Sequence, residues 1–152
     1  MSIPVELVDL RAKTAEYTWA YLLTVRPDAT PHLVSLSPQW SEPTGSGSGL
    51  DPAILLSVST GTARNATAGA TVTLCYPPLD HDGYSLIVDG TADAADGAAD
   101  AGAGHSGIDV PDGKQLIRFL PTGAVLHRSA APGFASSATG CANDCLPVTP
   151  DA

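Results

Sequence analysis

Basic residues are scarce in this chain, which has 7 Lys and Arg against 16 Asp and Glu and a formal net charge of −9. Nucleic acids and anionic membrane surfaces are bound by clustered Lys and Arg, whereas the seven here are scattered along the sequence. We therefore expect neither a nucleic acid nor a membrane as a partner. A small anionic ligand stays open, because it needs only one or two well-placed cations.

Long apolar runs and an export signal are also missing. No stretch approaches the roughly 18 apolar residues that suggest a membrane-spanning helix, and Met1–Glu6 lacks a basic region followed by an apolar run. The 3 cysteines are an odd number for an exported disulfide framework. These absences together predict a cytoplasmic protein.

What is present suffices for one folded domain, since 43% of the 152 residues are hydrophobic. We predict this domain over residues 1–129 and an irregular tail over residues 130–152. The Gly/Ser-rich stretch Ser41–Gly49 reads as a linker between strands. Residues 94–112 form an Ala/Asp/Gly tract with too few large apolar groups for a core, so we predict a surface excursion there.

Apolar and β-branched segments separated by turn residues predict about six strands. These are Trp19–Val25, Pro31–Trp40, Ile54–Val58, Thr71–Tyr76, Tyr84–Ala92 and Lys114–Arg128, the last with a bend at Pro121 and Gly123. Helical spacing and capping residues predict two short helices, Ile3–Tyr17 and Gly61–Gly69. Parallel pairs need long crossovers, and only one helix here lies between strands. The predicted fold is therefore mainly β, a six-stranded antiparallel barrel of the Greek-key type.

One segment suggests binding chemistry, because Ser57 and Ser59 alternate along a strand that leads into a helix carrying Arg64. Hydroxyls, the backbone N–H groups of a helix start and a guanidinium together suit a phosphate. A second interpretation is that Thr60 or Thr62 caps the helix and Arg64 is a solvated surface residue. Both interpretations stay open at this point.

The other reactive residues form no complete catalytic constellation, and their signal for a metal site is weak. His32 suits either proton transfer or a structural place at a strand start. Cys141 and Cys145 lack the second pair of ligands that a zinc site needs. Cys75 lies within an apolar strand and is predicted to be a packed core residue.

Several strand phrases resemble the pyridoxamine 5′-phosphate oxidase-like family of flavin-binding split β-barrels. The similarity extends from Leu7 to Arg128 and is a pattern typical of the fold rather than of one reaction. The phrases are Tyr21–Val25, Pro31–Val34, Ser59–Asn65, Val72–Pro78, Gly83–Gly90, Pro121–Thr122 and Val125–Arg128.

The resemblance implies a homodimer of six-stranded split barrels that holds FMN, or the deazaflavin coenzyme F-420, in each of two grooves between the subunits. Such a protein would be a flavin-dependent oxidoreductase in which the cofactor performs hydride or electron transfer. The cofactor-binding residues it implies are Ser57, Ser59, Thr60, Arg64 and Asn65 for the phosphate, His32, Val34 and Ser35 for the ring, and Trp40 and Tyr76 from the partner subunit.

The sequence departs from the family in its few cations. Many members meet the phosphate with two or more basic side chains, whereas Arg64 is the only Lys or Arg between Arg26 and Lys114. This shortage supports an alternative, a non-catalytic barrel dimer that binds haem, another tetrapyrrole or no cofactor.

Overall fold

The computed structural model describes residues 2–41, 53–80, 82–95 and 110–128. The predicted linker beyond Ser41, most of the predicted excursion and the predicted tail lie outside these residues. Cys141 and Cys145 lie outside them as well.

The described residues form eight strands and two short α-helices, and every strand pairing among them is antiparallel. The strands are β1 (Ser2–Pro4), β2 (Ala20–Val25), β3 (Pro31–Leu36), β4 (Gln39–Trp40), β5 (Ile54–Ser59), β6 (Val72–Tyr76), β7 (Ser85–Ala94) and β8 (Lys114–His127). The helices are α1 (Leu10–Thr14), which follows a 3₁₀ turn at Leu7–Asp9, and α2 (Thr60–Ala66). The six predicted strands are all present, and the mainly β fold class is confirmed.

The strands form where apolar residues recur at every second position. In β2, Ala20, Leu22 and Thr24 are buried. Since successive side chains of a strand point to opposite faces, this alternation gives the sheet one face toward the core. The core cluster gathers such residues from five strands together with Leu10 of α1 and Ala63 and Ala66 of α2.

The sheet has the strand order β3-β2-β6-β7-β8-β5-β4 and curls into a half-barrel. Its longest strand is β8, with 14 residues, which pairs with β7 along one edge. On the other edge it pairs with β5 near its start and with β1 near its end. Strand β8 therefore joins three strands that are far apart in sequence.

The β7–β8 ladder is irregular at Gly90, where the register shifts beside the predicted bend. A Cβ atom at Gly90 would lie 2.6 Å from Cζ of Phe119 and against the carbonyl oxygen of Leu120. The close approach of β8 thus requires a residue without a side chain.

The predicted helix over Ile3–Tyr17 is shorter than expected, because only the 3₁₀ turn Leu7–Asp9 and α1 (Leu10–Thr14) are helical. Its first residues instead pair with β8, and Val5 N–H donates to the carbonyl of Ala124 at 2.9 Å. The apolar positions at the start of this segment are exposed, at 37% for Ile3 and 46% for Leu7, whereas Leu10 within α1 is buried. Partners at the far end of the chain override the local helical spacing.

The predicted strand Pro31–Trp40 is interrupted after Leu36. Strand β3 pairs with β2, whereas β4 pairs with β5. Pro38 lies in the interruption and has no N–H to donate to a ladder. The change of partner follows from this break.

The two helices lie at opposite ends of the half-barrel. Strand β2 begins next to the ends of β3 and β6, and the side chains there contact α1; we call this the α1 end. Strand β5 ends where β3, β6 and β8 begin, beside α2; we call this the α2 end. No helix among the described residues combines the length and apolar character needed to cross a bilayer.

Candidate functional site

The α2 end is organised by Ser59, the last residue of β5. Its hydroxyl oxygen accepts the backbone N–H of Thr62 at 3.3 Å and so caps α2. The expectation that Thr60 or Thr62 caps this helix is wrong by one to three residues, because the extended conformation of the strand persists to Ser59. Thr60 is exposed, and it makes no capping hydrogen bond, since Ser59 is the cap.

A chain of polar side chains connects this cap to the β2–β3 hairpin. Nη2 of Arg26 lies 2.8 Å from Nδ1 of His32. Nε2 of His32 lies 3.4 Å from Oγ1 of Thr62, which in turn lies 3.0 Å from Oγ of Ser59. Sequence analysis missed Arg26 in this cluster and considered Thr62 only as a cap.

The direction of the hydrogen bonds follows from the donor inventory. A guanidinium can only donate, so Nδ1 of His32 accepts and Nε2 carries the hydrogen that is donated to Thr62. Thr62 is only 2% exposed, and the acceptor within reach of its hydroxyl among the described residues is Ser59. The exposed Ser59 hydroxyl is therefore left to donate outward.

Three basic residues lie at the α2 end. Arg64 is exposed on α2, and Arg26 begins the chain described above. Lys114 is the register partner of Ser59 across β5 and β8, so their side chains share one face. Folding therefore brings these three cations to one end of the barrel, which partly compensates for the small number of cations in the sequence. Two acids are close in sequence to these cations, since Asp28 follows Arg26 in the hairpin and Asp112 precedes Lys114 before β8.

The remaining residues predicted for the phosphate lie beside this cluster. Ser57 is half-buried on β5, opposite Leu116 of β8. Asn65 is half-buried on α2, next to Arg64. The predicted phosphate segment is therefore a partly exposed surface at one end of the barrel.

The residues predicted for the ring divide between the two faces of β3. His32 and Val34 are half-buried, and Val34 packs against the core. Ser35 is exposed on the opposite face, where it is the register partner of Tyr21. A hollow of about 470 Å³ lies there, lined by Ser35, Tyr21 and Trp19 among others.

Trp40 and Tyr76 lie at the α1 end, away from this cluster. They line a cavity of about 310 Å³ together with Arg11, Thr14, Tyr17 and Pro38. Nε1 of Trp40 donates to Oγ1 of Thr14 at 2.7 Å. The rings of Tyr17 and Tyr76 have centroids 5.6 Å apart. Within one subunit, the structure does not bring Trp40 and Tyr76 next to Ser59.

Tyr76 is the unusual member of this cavity. Only 2% of the residue is exposed, yet its hydroxyl has no hydrogen-bond partner among the described residues. Burial raises the pKa of Tyr76, because removal from water disfavours the phenolate. The hydroxyl therefore keeps its proton at neutral pH and can donate it.

The outer side of the sheet carries an apolar surface that we call the outer apolar face. One row of register partners crosses it, and the exposed Leu23, Val25 and Leu33 lie beside this row. The row consists of Ser35, Tyr21, Cys75, Ile87, Val125 and Pro4.

Cys75 was predicted to be in the core, and this was wrong. It is half-buried on the outer apolar face, because β6 points Val72, Leu74 and Tyr76 inward. Partial burial raises the pKa of its thiol.

Within the described ranges, no three His, Cys, Asp or Glu residues are grouped so that they could hold a metal ion.

Relatives of the chain are known by sequence, although no family model matches it. An uncharacterized protein of Mycobacterium bovis is 35% identical over 146 residues, which cover 93% of each chain. An uncharacterized protein of Mycobacterium tuberculosis is similar to the same extent.

Three solved structures are similar to this chain in fold. The FAD-binding protein from Mycobacterium smegmatis has a TM-score of 0.57 at 17% identity, over 81% of this chain and 95% of that one. A candidate pyridoxamine 5′-phosphate oxidase from Listeria innocua has a TM-score of 0.55 at 15% identity, over 80% and 98%. The heme storage protein HutZ from Vibrio cholerae has a TM-score of 0.53 at 15% identity, over 79% and 93%. The chain therefore belongs to the same family as the two mycobacterial proteins, and its fold is the split β-barrel of pyridoxamine 5′-phosphate oxidase-like proteins.

Proposed function

We propose that this chain is a cytoplasmic flavin-binding protein of the oxidoreductase type, which acts as a homodimer and binds the cofactor phosphate at the α2 end. FMN is the first candidate, and coenzyme F-420 is the alternative with the same requirements. The observation that carries the proposal is that three cations, Arg26, Arg64 and Lys114, lie at the α2 end, with Lys114 opposite Ser59 in the β5–β8 register.

The residues at the α2 end fit a phosphate monoester. Such a group carries about −1.5 to −2 charges at neutral pH and accepts several hydrogen bonds. Arg64 and Lys114 supply the opposite charge, and Ser59 and Thr60 supply hydroxyl donors. Ser57 and Asn65 are half-buried beside them and complete the set of polar side chains.

The ring of the cofactor would lie along β3. Once bound, a flavin supplies hydride or electron transfer, so no side chain of this barrel has to do that chemistry. The role of the chain is to hold and orient the ring. Arg26 fixes the hydrogen of His32 on Nε2, and the hollow beside Ser35 offers an aromatic wall at Tyr21 and Trp19.

A second copy of the chain is the proposed partner of the outer apolar face. Leu33 is 55% exposed, Val25 45% and Leu23 38%, and a group of exposed apolar side chains on one face is typical of a protein interface. Trp40 is half-buried and Tyr76 is buried, so Trp40 is the better placed of the two to reach a cofactor held by the partner subunit.

The similar solved structures support a flavin over other ligands. One is named an FAD-binding protein and another a candidate pyridoxamine 5′-phosphate oxidase. The third is named a heme storage protein, so haem is the competing ligand. A visible spectrum of the protein as isolated distinguishes a flavin band from a haem Soret band.

Titration with FMN, coenzyme F-420 and hemin tests the cofactor. We expect FMN or F-420 to bind, and Arg64→Ala and Lys114→Ala each to weaken binding by roughly 1.5–3 kcal/mol, the range of a hydrogen bond to a charged group. Lys13→Ala is the matched control, since Lys13 lies on α1 and pairs with Glu16 at 2.8 Å. Absence of flavin binding at about 50 μM, a weak affinity, would refute the proposal, and so would equal effects of all three substitutions.

Light scattering on a sizing column tests the dimer. Leu23→Glu places a charge on the outer apolar face and is expected to give a folded monomer, because Leu23 is outside the core. Val8→Glu is the control, since Val8 is 87% exposed on the 3₁₀ turn. A wild-type chain that elutes as a monomer contradicts the proposed dimer but does not contradict cofactor binding by each subunit.

A further inference from the structure

Thr62 is a buried threonine that connects the exposed Ser59 to His32 of the hairpin. We propose, on the basis of the flavin site proposed above, that Thr62 is a positioning residue for the cofactor phosphate. Its hydroxyl, with a direction set by Arg26 and His32, fixes the Ser59 hydroxyl as a donor toward the anion. Thr62 does not contact the phosphate and acts on it through Ser59.

The Ser59 hydroxyl has only one hydrogen-bonding role left. A serine hydroxyl can donate one hydrogen bond and accept two. At Ser59, the backbone N–H of Thr62 lies 3.3 Å from the hydroxyl oxygen and the Thr62 hydroxyl lies 3.0 Å from it, which accounts for both acceptor positions. Ser59 is exposed, so its hydrogen is available to a ligand. A phosphate oxygen without a proton can only accept, and it therefore suits this donor.

The direction of the Thr62–Ser59 hydrogen bond is set from the β2–β3 hairpin. The guanidinium of Arg26 donates to Nδ1 of His32 at 2.8 Å, which leaves the ring hydrogen on Nε2. Nε2 lies 3.4 Å from Oγ1 of Thr62, which accepts this hydrogen. Thr62 is only 2% exposed, so little water competes for its hydroxyl, and its own hydrogen is donated to Ser59.

A donor that is oriented in advance binds an anion better than a freely rotating one, because less conformational freedom is lost on binding. Hydrogen bonds in a chain also polarise one another, and this chain begins at a guanidinium. Thr62→Val separates this effect from capping. The substitution keeps the shape of the side chain and the backbone N–H that Ser59 caps, and it removes the hydroxyl.

Calorimetric titration of the full-length protein with FMN and riboflavin tests the role of Thr62. The two probes share the ring system, and riboflavin lacks the phosphate. Thr62→Val is expected to weaken FMN binding about three- to tenfold, the value of one hydrogen bond, and to leave riboflavin binding unchanged. Thr62→Ser keeps the hydroxyl and is expected to restore the affinity for FMN.

Two further variants serve as controls. Thr67→Val removes another hydroxyl beside α2, one that donates to the carbonyl of Ala63 at 3.0 Å, and it is expected to leave FMN binding unchanged. In a Ser59→Ala background, Thr62→Val is expected to have no further effect on FMN binding, because residues that act through one another are not additive.

Nitrogen chemical shifts of His32, measured by NMR on the wild-type protein, test the direction of the chain without any variant. We expect the ring hydrogen on Nε2. The proposed role of Thr62 is overturned if that hydrogen is on Nδ1, if Thr62→Val binds FMN as tightly as wild type, or if its full effect persists in the Ser59→Ala background. Absence of FMN binding by the wild type is a different result, which refutes the flavin site and the role of Thr62 with it.

Discussion

The two ends of the barrel differ in almost every chemical property. The α2 end is open, with exposed hydroxyls and the cations Arg26, Arg64 and Lys114. The α1 end has a partly open cavity with aromatic walls at Tyr17, Trp40 and Tyr76. In an antiparallel sheet, each strand contributes its first residues to one end and its last residues to the other. One sheet can therefore support two ends that vary independently.

The strongest test of this comparison targets the sheet that the two ends share. Gly90→Ala inserts a Cβ against the Leu120 carbonyl and Phe119, and we expect a loss of about 3 kcal/mol of unfolding free energy by urea denaturation. Because β7 and β8 serve both ends, the two ends are expected to be destabilised together.

The matched control for this substitution lies on the adjacent strand. A Cβ at Gly123 meets nothing within 4 Å, so Gly123→Ala is expected to leave stability nearly unchanged. If Gly90→Ala is tolerated as well as Gly123→Ala, the close packing of β8 against Gly90 is contradicted.

The next test affects only the α1 end. Trp40→Phe removes the hydrogen bond to Thr14 and part of the indole volume, with an expected cost of about 1–2 kcal/mol. Tyr76→Phe removes a hydroxyl without a partner and is expected to cost less than about 0.5 kcal/mol. Thermal melts of both variants check these losses, and unchanged FMN binding by Tyr76→Phe would confirm that the ends are separable.

A smaller effect is expected at the α2 end. Ser59→Ala removes the cap of α2 and is expected to cost about 1 kcal/mol. Thr60→Ala is the control, since Thr60 is exposed and does not cap the helix. Equal losses of unfolding free energy in the two variants would show that Ser59 does not stabilise α2 as its cap.

The smallest effect is a pH dependence. Burial raises the pKa of Tyr76 in the folded protein above the ordinary value of 10.0. Its contribution to stability is therefore complete below pH 10 and is lost as the pH rises further, because the unfolded chain then releases the proton more readily. At pH 10.5 the loss is about 0.8 kcal/mol for this group, from the linkage relation. Tyr76→Phe is expected to show that much less alkaline destabilisation than wild type, as measured by urea denaturation at neutral pH and at pH 10.5.

The fold was largely readable from the sequence, because the buried face of each strand appears as local alternation. Strands β2 and β6 show it directly, with every second residue buried. The N-terminal segment was not readable, since β1 exists only through its pairing with residues 125–127. The break before β4 was signalled by Pro38, although the change of partner to β5 was not.

The candidate site was only partly readable, because its geometry depends on pairings between distant segments. Ser59 and Arg64 stood out from their local pattern. Lys114 did not, since only the β5–β8 register places it opposite Ser59. Likewise, the burial of the Tyr76 hydroxyl without a partner among the described residues is not apparent from the sequence around Tyr76.

The pairing of β8 with three other strands also has a consequence for how the chain folds. Residues 2–4 have their strand partners at residues 125–127, and β5 and β7 need β8 as well. The barrel therefore cannot close on the ribosome until residue 127 has emerged, and nonlocal pairing of this kind slows folding. Until then, the growing polypeptide must keep the open edges of β5 and β7 from pairing with other chains.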